Sequence, residues 1–327
     1  MGGRLLKIVV LFLMVFSFLG CVRKGSPEVV LRASLLVGED HTWFRAFEYF
    51  GELLEERSNG RLVLQRYHSE QLAKEIEAIR MIRSGVIDMT TTSSLLSNWT
   101  EIMTFCEMPF LFEDVEAAEK MINGPVGERI EEEMLSKTGL RPLGYFMVGA
   151  RHLTSNRPIK HPDDLDGLIL RVPNVPSFVT AWNALGAKTT PMAYSEVFTG
   201  LQQGTIEAQE NPLSLIKITG FYEVQNYVNL TGHVIGWTYP VIGEKQFEAL
   251  PDDLKDIFLR AAKDMQVYER QLYLENDAKI RQELKDLGMT LLEVDKQAFI
   301  EKCGDAIYQT LSPEMREVYN SIREKQP

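Results

Sequence analysis

Val29-Val30-Leu31-Arg32-Ala33-Ser34-Leu35-Leu36 is a short, largely apolar run and reads as a strand. Over residues 42–58, Phe44, Phe47, Phe50 and Leu54 recur at three- and four-residue spacing, which predicts a helix with one core-facing stripe. Asn59-Gly60 ends it, because these residues tolerate a left-handed backbone. Arg61-Leu62-Val63-Leu64-Gln65-Arg66-Tyr67 alternates Leu62 and Leu64 with polar neighbours and predicts a second strand. A helix over 72–84 that stops at Gly85, and a strand over 86–91, complete the pattern. Strand, helix, strand, helix, strand means an α/β lobe with a largely parallel sheet.

The pattern continues with a helical region over 115–137 closed by Gly139, strands over 143–148 and 168–172, and helices over 176–185 and 195–204. Residues 251–288 read as helical throughout, with Leu254, Ile257, Phe258, Ala261, Met265, Tyr268 and Leu272 on the buried face. At about 1.5 Å per residue such a helix exceeds about 50 Å, longer than one lobe is wide. It either kinks or runs along two lobes. The 327 residues suit two domains at roughly 100–200 residues each. No repeat and no Gly/Ser-rich linker separates them, so the chain is expected to cross between lobes more than once.

Composition narrows the function. With 35 basic against 46 acidic residues the chain carries a net charge of −11, which leaves no basic excess to neutralise nucleic-acid phosphates. Residues 8–19 are apolar but for Ser17 and follow Arg4 and Lys7, the layout of a secretory signal, too short for a spanning helix. The run ends in Phe18-Leu19-Gly20-Cys21, which resembles a bacterial lipobox although Phe18 stands where that pattern usually has leucine. Residues 1–20 are therefore expected to be a signal peptide and 21–30 a tether lipidated at Cys21; a plain signal with a chance cysteine is the alternative. The other two cysteines, Cys106 and Cys303, are expected to be separate core thiols.

Enzyme signatures are missing. No GxSxG elbow, HExxH pair, GxGxxG turn or EF-hand loop occurs, and the five histidines lie singly. Gly186-Ala187-Lys188-Thr189 lacks the glycine spacing that wraps a phosphate. No cofactor, no metal and no catalytic residue is expected.

The informative segment runs from Arg151 to Asn211. It contains Arg151-His152-Leu153-Thr154-Ser155-Asn156-Arg157-Pro158-Ile159 and Leu168-Ile169-Leu170-Arg171-Val172-Pro173-Asn174. Pro191-Met192-Ala193-Tyr194-Ser195-Glu196-Val197, Leu201-Gln202-Gln203-Gly204 and Gln209-Glu210-Asn211-Pro212-Leu213 follow. This train of motifs closely resembles the extracytoplasmic solute receptors of TRAP transporters, the DctP-type family. The resemblance extends from near Asn59-Gly60-Arg61 through Pro109-Phe110-Leu111-Phe112 to about Leu291.

The resemblance implies a two-lobed α/β fold like that of periplasmic binding proteins, with mixed sheets flanked by helices and a long helix spanning both lobes. Residues 31–148 and 237–275 would form the first lobe, 149–236 and 276–327 the second. It implies a small organic acid held in the interlobe cleft and passed to the small and large subunits of a membrane permease. Arg171 matches the family's carboxylate-binding arginine and Arg151 a second one, with Arg157 as the rival assignment for the latter. Asn211 matches an amide that reaches the same carboxylate, Tyr194 an aromatic lining position, and Trp237 the return to the first lobe near the cleft.

Chemistry supports these roles independently, since a guanidinium offers two parallel donors to a carboxylate and stays charged in a dry cleft. The other role open to Arg171 is an interlobe salt bridge. The ligand's far end is expected against the first lobe, where Glu39, Asp40, His41, Trp43 and the run from Thr90 to Ser94, Ser93 included, are candidates. Such polar groups favour a sugar acid such as a uronate over a C4-dicarboxylate. A receptor of an ATP-driven transporter or a sensor is the alternative class.

Overall fold

The computed structural model describes residues 26–324, so the expected signal peptide and Cys21 lie outside the described residues. Strands β1 (Val29–Ser34), β2 (Leu62–Tyr67) and β3 (Met89–Thr92) alternate with helices α1 (Thr42–Arg57) and α2 (Glu75–Ser84). β1 pairs in parallel with both β2 and β3, as the alternation requires. Phe47, Phe50 and Leu54 of α1 are fully buried, each large apolar side chain contributing about 1.5–3 kcal/mol. α2 ends on Gly85 in the left-handed region, at φ 80°.

Further along come β4 (Leu140–Pro142), β5 (Phe146–Ser155), β6 (Ile169–Val172), β7 (Lys188–Pro191), β8 (Ala208–Pro212), β9 (Tyr227–Gly243) and β10 (Thr290–Leu292). The main sheet path is β2-β1-β3-β9-β5-β8-β6-β7. The 17-residue β9 joins the halves: residues near Tyr239 pair antiparallel with β3, and residues from Tyr227 to Thr238 pair with β5. β5 carries a register shift between Met147 and Gly149, with Gly149 at φ 81°. A bulge there bends the strand where the chain passes between lobes. The fold is thus a two-lobed α/β architecture with mixed sheets flanked by helices.

The expected long helix is Asp252–Asp286, 35 residues. Its first half, with Leu254, Phe258, Ala261 and Met265, belongs to the core around α1 and β1. Its last turns, with Ile280 and Leu284, belong to a separate core with Val197, Phe221 and Val228. One rigid rod is therefore embedded in both lobes.

Two expectations need correction. The helical region 115–137 is two helices, Val115–Ile122 and Pro125–Thr138. Pro125 lacks the N–H that an uninterrupted helix needs, and a Cβ on Gly127 would lie 1.8 Å from the Ile122 carbonyl oxygen, so only glycine fits the break. The sheet of the first lobe is mixed rather than largely parallel, because β9 enters it antiparallel beside β3. The last helix, Pro313–Arg323, expected within the second-lobe range 276–327, also bonds to residues outside it. Glu314 pairs with Arg129, the Ser312 N–H donates to Glu101 at 2.8 Å and Arg323 donates to the Leu111 carbonyl at 3.4 Å, all three partners lying in the first lobe's range.

Cys106 and Cys303 are both buried and free. Among the described residues no helix is long and apolar enough to cross a membrane. On the long helix, Glu269 is 1% exposed and accepts a hydrogen bond from Thr42 at 3.1 Å. Burial pushes its carboxyl up to about 8. A raised carboxyl in the folded state means stability is lost as pH rises from about 4.5 through about 8. Glu269→Gln, which retains an acceptor for Thr42, is expected to raise Tm more at pH 9 than at pH 5 in thermal melts.

Candidate functional site

A cavity of about 470 Å³ lies between the lobes, within the roughly 300–1,000 Å³ typical of small-molecule sites. One wall comes from the first lobe and includes Trp43, Glu70, Glu75, Thr91, Ser93 and Ser94. The facing wall includes Arg171, Tyr194, Met192 and Asn211, with Arg151 at the back. Several contacts join the walls, the Arg151–Glu107 ion pair at 3.1 Å among them. Lys74 pairs with Glu196 at 2.7 Å, and Asn98 Nδ2 donates to the Asn174 carbonyl at 3.1 Å.

Arg171 projects from β6, just ahead of Pro173, and is 4% exposed. Its Nε and Nη2 donate to the Met192 carbonyl at 3.0 and 2.6 Å. Among the described residues it has no carboxylate partner within ion-pair distance, and Nη1 makes no hydrogen bond. The interlobe salt bridge that the sequence left open for it is absent. Burial pulls this guanidinium down to about 10, Arg151 adding to the effect and Glu210 opposing it. A buried cation held only by a neutral carbonyl is electrostatically incomplete.

Arg151, on β5, is the opposite case. Its Nε and Nη2 grip Glu210 at 2.6 and 2.8 Å, and Nη2 also reaches the Asn211 side-chain oxygen at 3.2 Å. Nη1 reaches Glu107 at 3.1 Å, which leaves at most one N–H for a ligand. His233 Nε2 lies 2.9 Å from Glu210, and the hydroxyls of Ser93 and Ser94 each donate to Glu107 at 2.6 Å. Burial alone would push Glu210 up, but the Arg151 charge and the bonds from His233 and Arg151 hold its carboxyl at about 2. Burial also pulls His233 below the usual imidazole range.

This geometry is that of a receptor cleft, and likeness to known proteins agrees with it. Residues 33–313 match the family described as bacterial extracellular solute-binding protein, family 7, DctP. The chain belongs to this family, the receptors of TRAP transporters. A solute-binding protein of Roseobacter denitrificans is 42% identical to it over 297 residues, 91% of each chain. A crystal structure of a TRAP periplasmic solute-binding protein from that organism, with bound L-galactonate, matches at TM-score 0.89 and 41% identity. It covers 91% of this chain and 100% of that one. The 2,3-diketo-L-gulonate-binding periplasmic protein of Escherichia coli is 33% identical over 265 residues, 80% of each chain.

Within this receptor fold, Arg171, Arg151, Asn211, Tyr194 and Ser93 all reach the cavity. Asn211 donates from Nδ2 to Gln209 at 2.6 Å, which fixes its amide. The Tyr194 hydroxyl is hydrogen-bonded to Thr219, and burial raises it to about 12. Arg157, the rival to Arg151, is exposed and donates to the Asp166 carbonyl instead.

Two expected lining residues lie outside the cavity. Trp237 is 0% exposed and packs against Phe112 and Tyr239. Successive side chains of a strand face opposite ways, so its neighbour Thr238 meets the cavity while Trp237 enters the core. Glu39 is largely exposed and lies 3.5 Å from His68 on the outside. The first-lobe wall is built instead by Trp43 and by Glu70 and Glu75, which precede and open α2.

The sequence reading also missed Glu107, Glu210 and His233. The available sign was a glutamate inside the apolar run from Phe105 to Phe112, which a core tolerates only when it is paired.

Proposed function

We propose that this chain captures a sugar acid between its lobes outside the cytoplasm and delivers it to a TRAP membrane permease. The observation that carries the reading is Arg171, a buried cation on the cavity wall without a carboxylate partner among the described residues. A ligand carboxylate completes it through two parallel charge-assisted bonds, each contributing roughly 1.5–3 kcal/mol. Asn211 and the remaining Arg151 N–H sit on the same wall and would fix the carboxylate's orientation. The ligands named for the relatives, L-galactonate and 2,3-diketo-L-gulonate, favour a sugar acid over a C4-dicarboxylate.

Closure follows from differential contact. A ligand shifts an open–closed equilibrium only by binding the closed form better. Arg171 and the carboxylates of the facing wall come from different lobes, so only the closed form lets one ligand touch both. The lobes would be 31–148 with 237–275, and 149–236 with 276–312, the last helix returning to the first. Cleavage and lipidation at Cys21 would tether the receptor to the membrane, with the permease subunits as its partners.

A thermal-shift screen of hexonates, hexuronates, dicarboxylates and keto acids on protein lacking residues 1–21 tests the ligand class. A ligand present at a hundred times its Kd stabilises by about 2.7 kcal/mol, so a sugar acid is expected to raise Tm by several degrees. A response to dicarboxylates alone, or to none of the four classes, would overturn the reading.

A further inference from the structure

On the wall facing Arg171, two half-buried glutamates have few hydrogen-bond partners among the described residues. Ser69 and Glu70 both adopt left-handed backbone, at φ 50° and 56°. Neither is glycine, so the turn is strained, and it is held by N–H bonds to Val37 O at 2.9 Å and Leu35 O at 3.0 Å. The turn carries Glu70 to the cavity wall, its Oε2 closed off within the protein and neither carboxylate oxygen accepting a hydrogen bond among the described residues.

Beside it, Glu75 takes one bond, from the Thr92 hydroxyl to Oε1 at 2.8 Å. Its Oε2 makes no hydrogen bond among the described residues. Burial raises the Glu75 carboxyl to about 8, with Glu107 and Glu70 adding to the effect. At that value Glu75 is mostly protonated at neutral pH, and of the nearby cations Lys74 is held by Glu196 while Arg80 stands exposed at the rim. Both side chains line the cavity; the Glu70 carboxylate offers a ligand acceptors only, whereas a protonated Glu75 both accepts and donates.

We propose that Glu70 restricts this receptor to sugar acids with a single carboxylate, accepting with Glu75 the hydroxyl hydrogens of the ligand's far end and rejecting a second carboxylate there. The inference rests on the sugar-acid reading above and deepens it. With the ligand's carboxylate on Arg171, its remaining hydroxyls lie toward the opposite wall. A hydroxyl donates to an open carboxylate oxygen; a carboxylate brings no donor and adds like charge in a confined cavity. Like-charge juxtaposition at a desolvated contact is strongly unfavourable, on the order of a hundredfold or more in affinity.

Galactarate is the deciding probe, because it differs from L-galactonate and from galacturonate only at the end remote from their shared carboxylate. Titration calorimetry compares the three on the wild-type protein, Glu70→Gln and Glu75→Gln. The wild type is expected to prefer the better monocarboxylate over galactarate by about a hundredfold or more. Glu70→Gln is expected to keep monocarboxylate binding within about tenfold while narrowing that preference by about tenfold or more, and Glu75→Gln, which removes no charge at neutral pH, to narrow it less. Wild-type binding of galactarate within about threefold of the monocarboxylate would overturn the inference and leave the sugar-acid reading standing. So would an unchanged preference in Glu70→Gln, and the wild-type comparison decides by itself should that variant fail to fold. Absence of binding by every hexonate and hexuronate would instead overturn the sugar-acid reading.

Discussion

Arg171→Ala is expected to weaken sugar-acid binding by about 3–5 kcal/mol, a hundred- to several-thousand-fold rise in Kd by titration calorimetry. The ligand carboxylate enters a dry cleft and loses its water, so removing its guanidinium leaves it desolvated and unpaired. The unliganded protein should respond differently. Arg171 is 4% exposed and held by a carbonyl rather than a carboxylate, so its burial costs stability in the empty receptor. The variant is therefore expected to melt at or above the wild-type temperature without ligand, while losing the ligand-induced rise in Tm. Arg171→Lys keeps the charge but not the planar fork, and should fall between the two. A loss of affinity below about fivefold for Arg171→Ala would remove this residue from the site.

Arg151→Ala should damage the fold itself. It leaves Glu210, 0% exposed, and the buried Glu107 without their shared cation, a change that costs about 3–5 kcal/mol in buried pairs. Urea unfolding measures it. The pH dependence is a sharper sign. In the wild type Glu210 is held at about 2, so its contribution is full above about 4.5 and is lost as pH falls toward 2. Without Arg151, burial dominates and the Glu210 carboxyl rises above its ordinary range. The variant is then expected to gain stability as pH falls from 7 toward 5, whereas the wild type gains nothing from Glu210 over that interval. Parallel pH profiles over that interval would show that the pair does not govern the network.

The first lobe was legible because its stripes are regular. Phe44, Phe47, Phe50 and Leu54 recur as a helix requires, and Gly85 marks a stop that the backbone obeys. The long helix was legible for the same reason, although its length alone left a kink as the alternative to a span of two lobes. β9 was not, although it joins the halves. Buried on both faces for most of its length, Tyr227–Gly243 has no alternation to read, and it contains Gly232, Gly236 and Pro240. The same blindness to strand phase put Trp237 in the cleft when Thr238 is the residue that faces it.

For the candidate site, matching motifs placed Arg171, Arg151, Asn211 and Tyr194 at one cavity, but charge accounting was out of reach. Nothing in the chain order says that Arg151 meets Glu210 and Glu107 while Arg171 meets no carboxylate, because pairing depends on contacts across the sheet and between lobes. The acidic wall was hidden likewise. A net charge of −11 identifies no particular carboxylate, and only the turn at Ser69-Glu70 turns Glu70 inward.

A crystal structure of the protein with L-galactonate tests the central claim most directly. The carboxylate is expected on Arg171, bound through both oxygens and within reach of the Asn211 amide, with the polyol chain directed toward Glu70 and Glu75. A carboxylate seated on the first-lobe wall, or a ligand that leaves Arg171 on the Met192 carbonyl alone, would contradict the account.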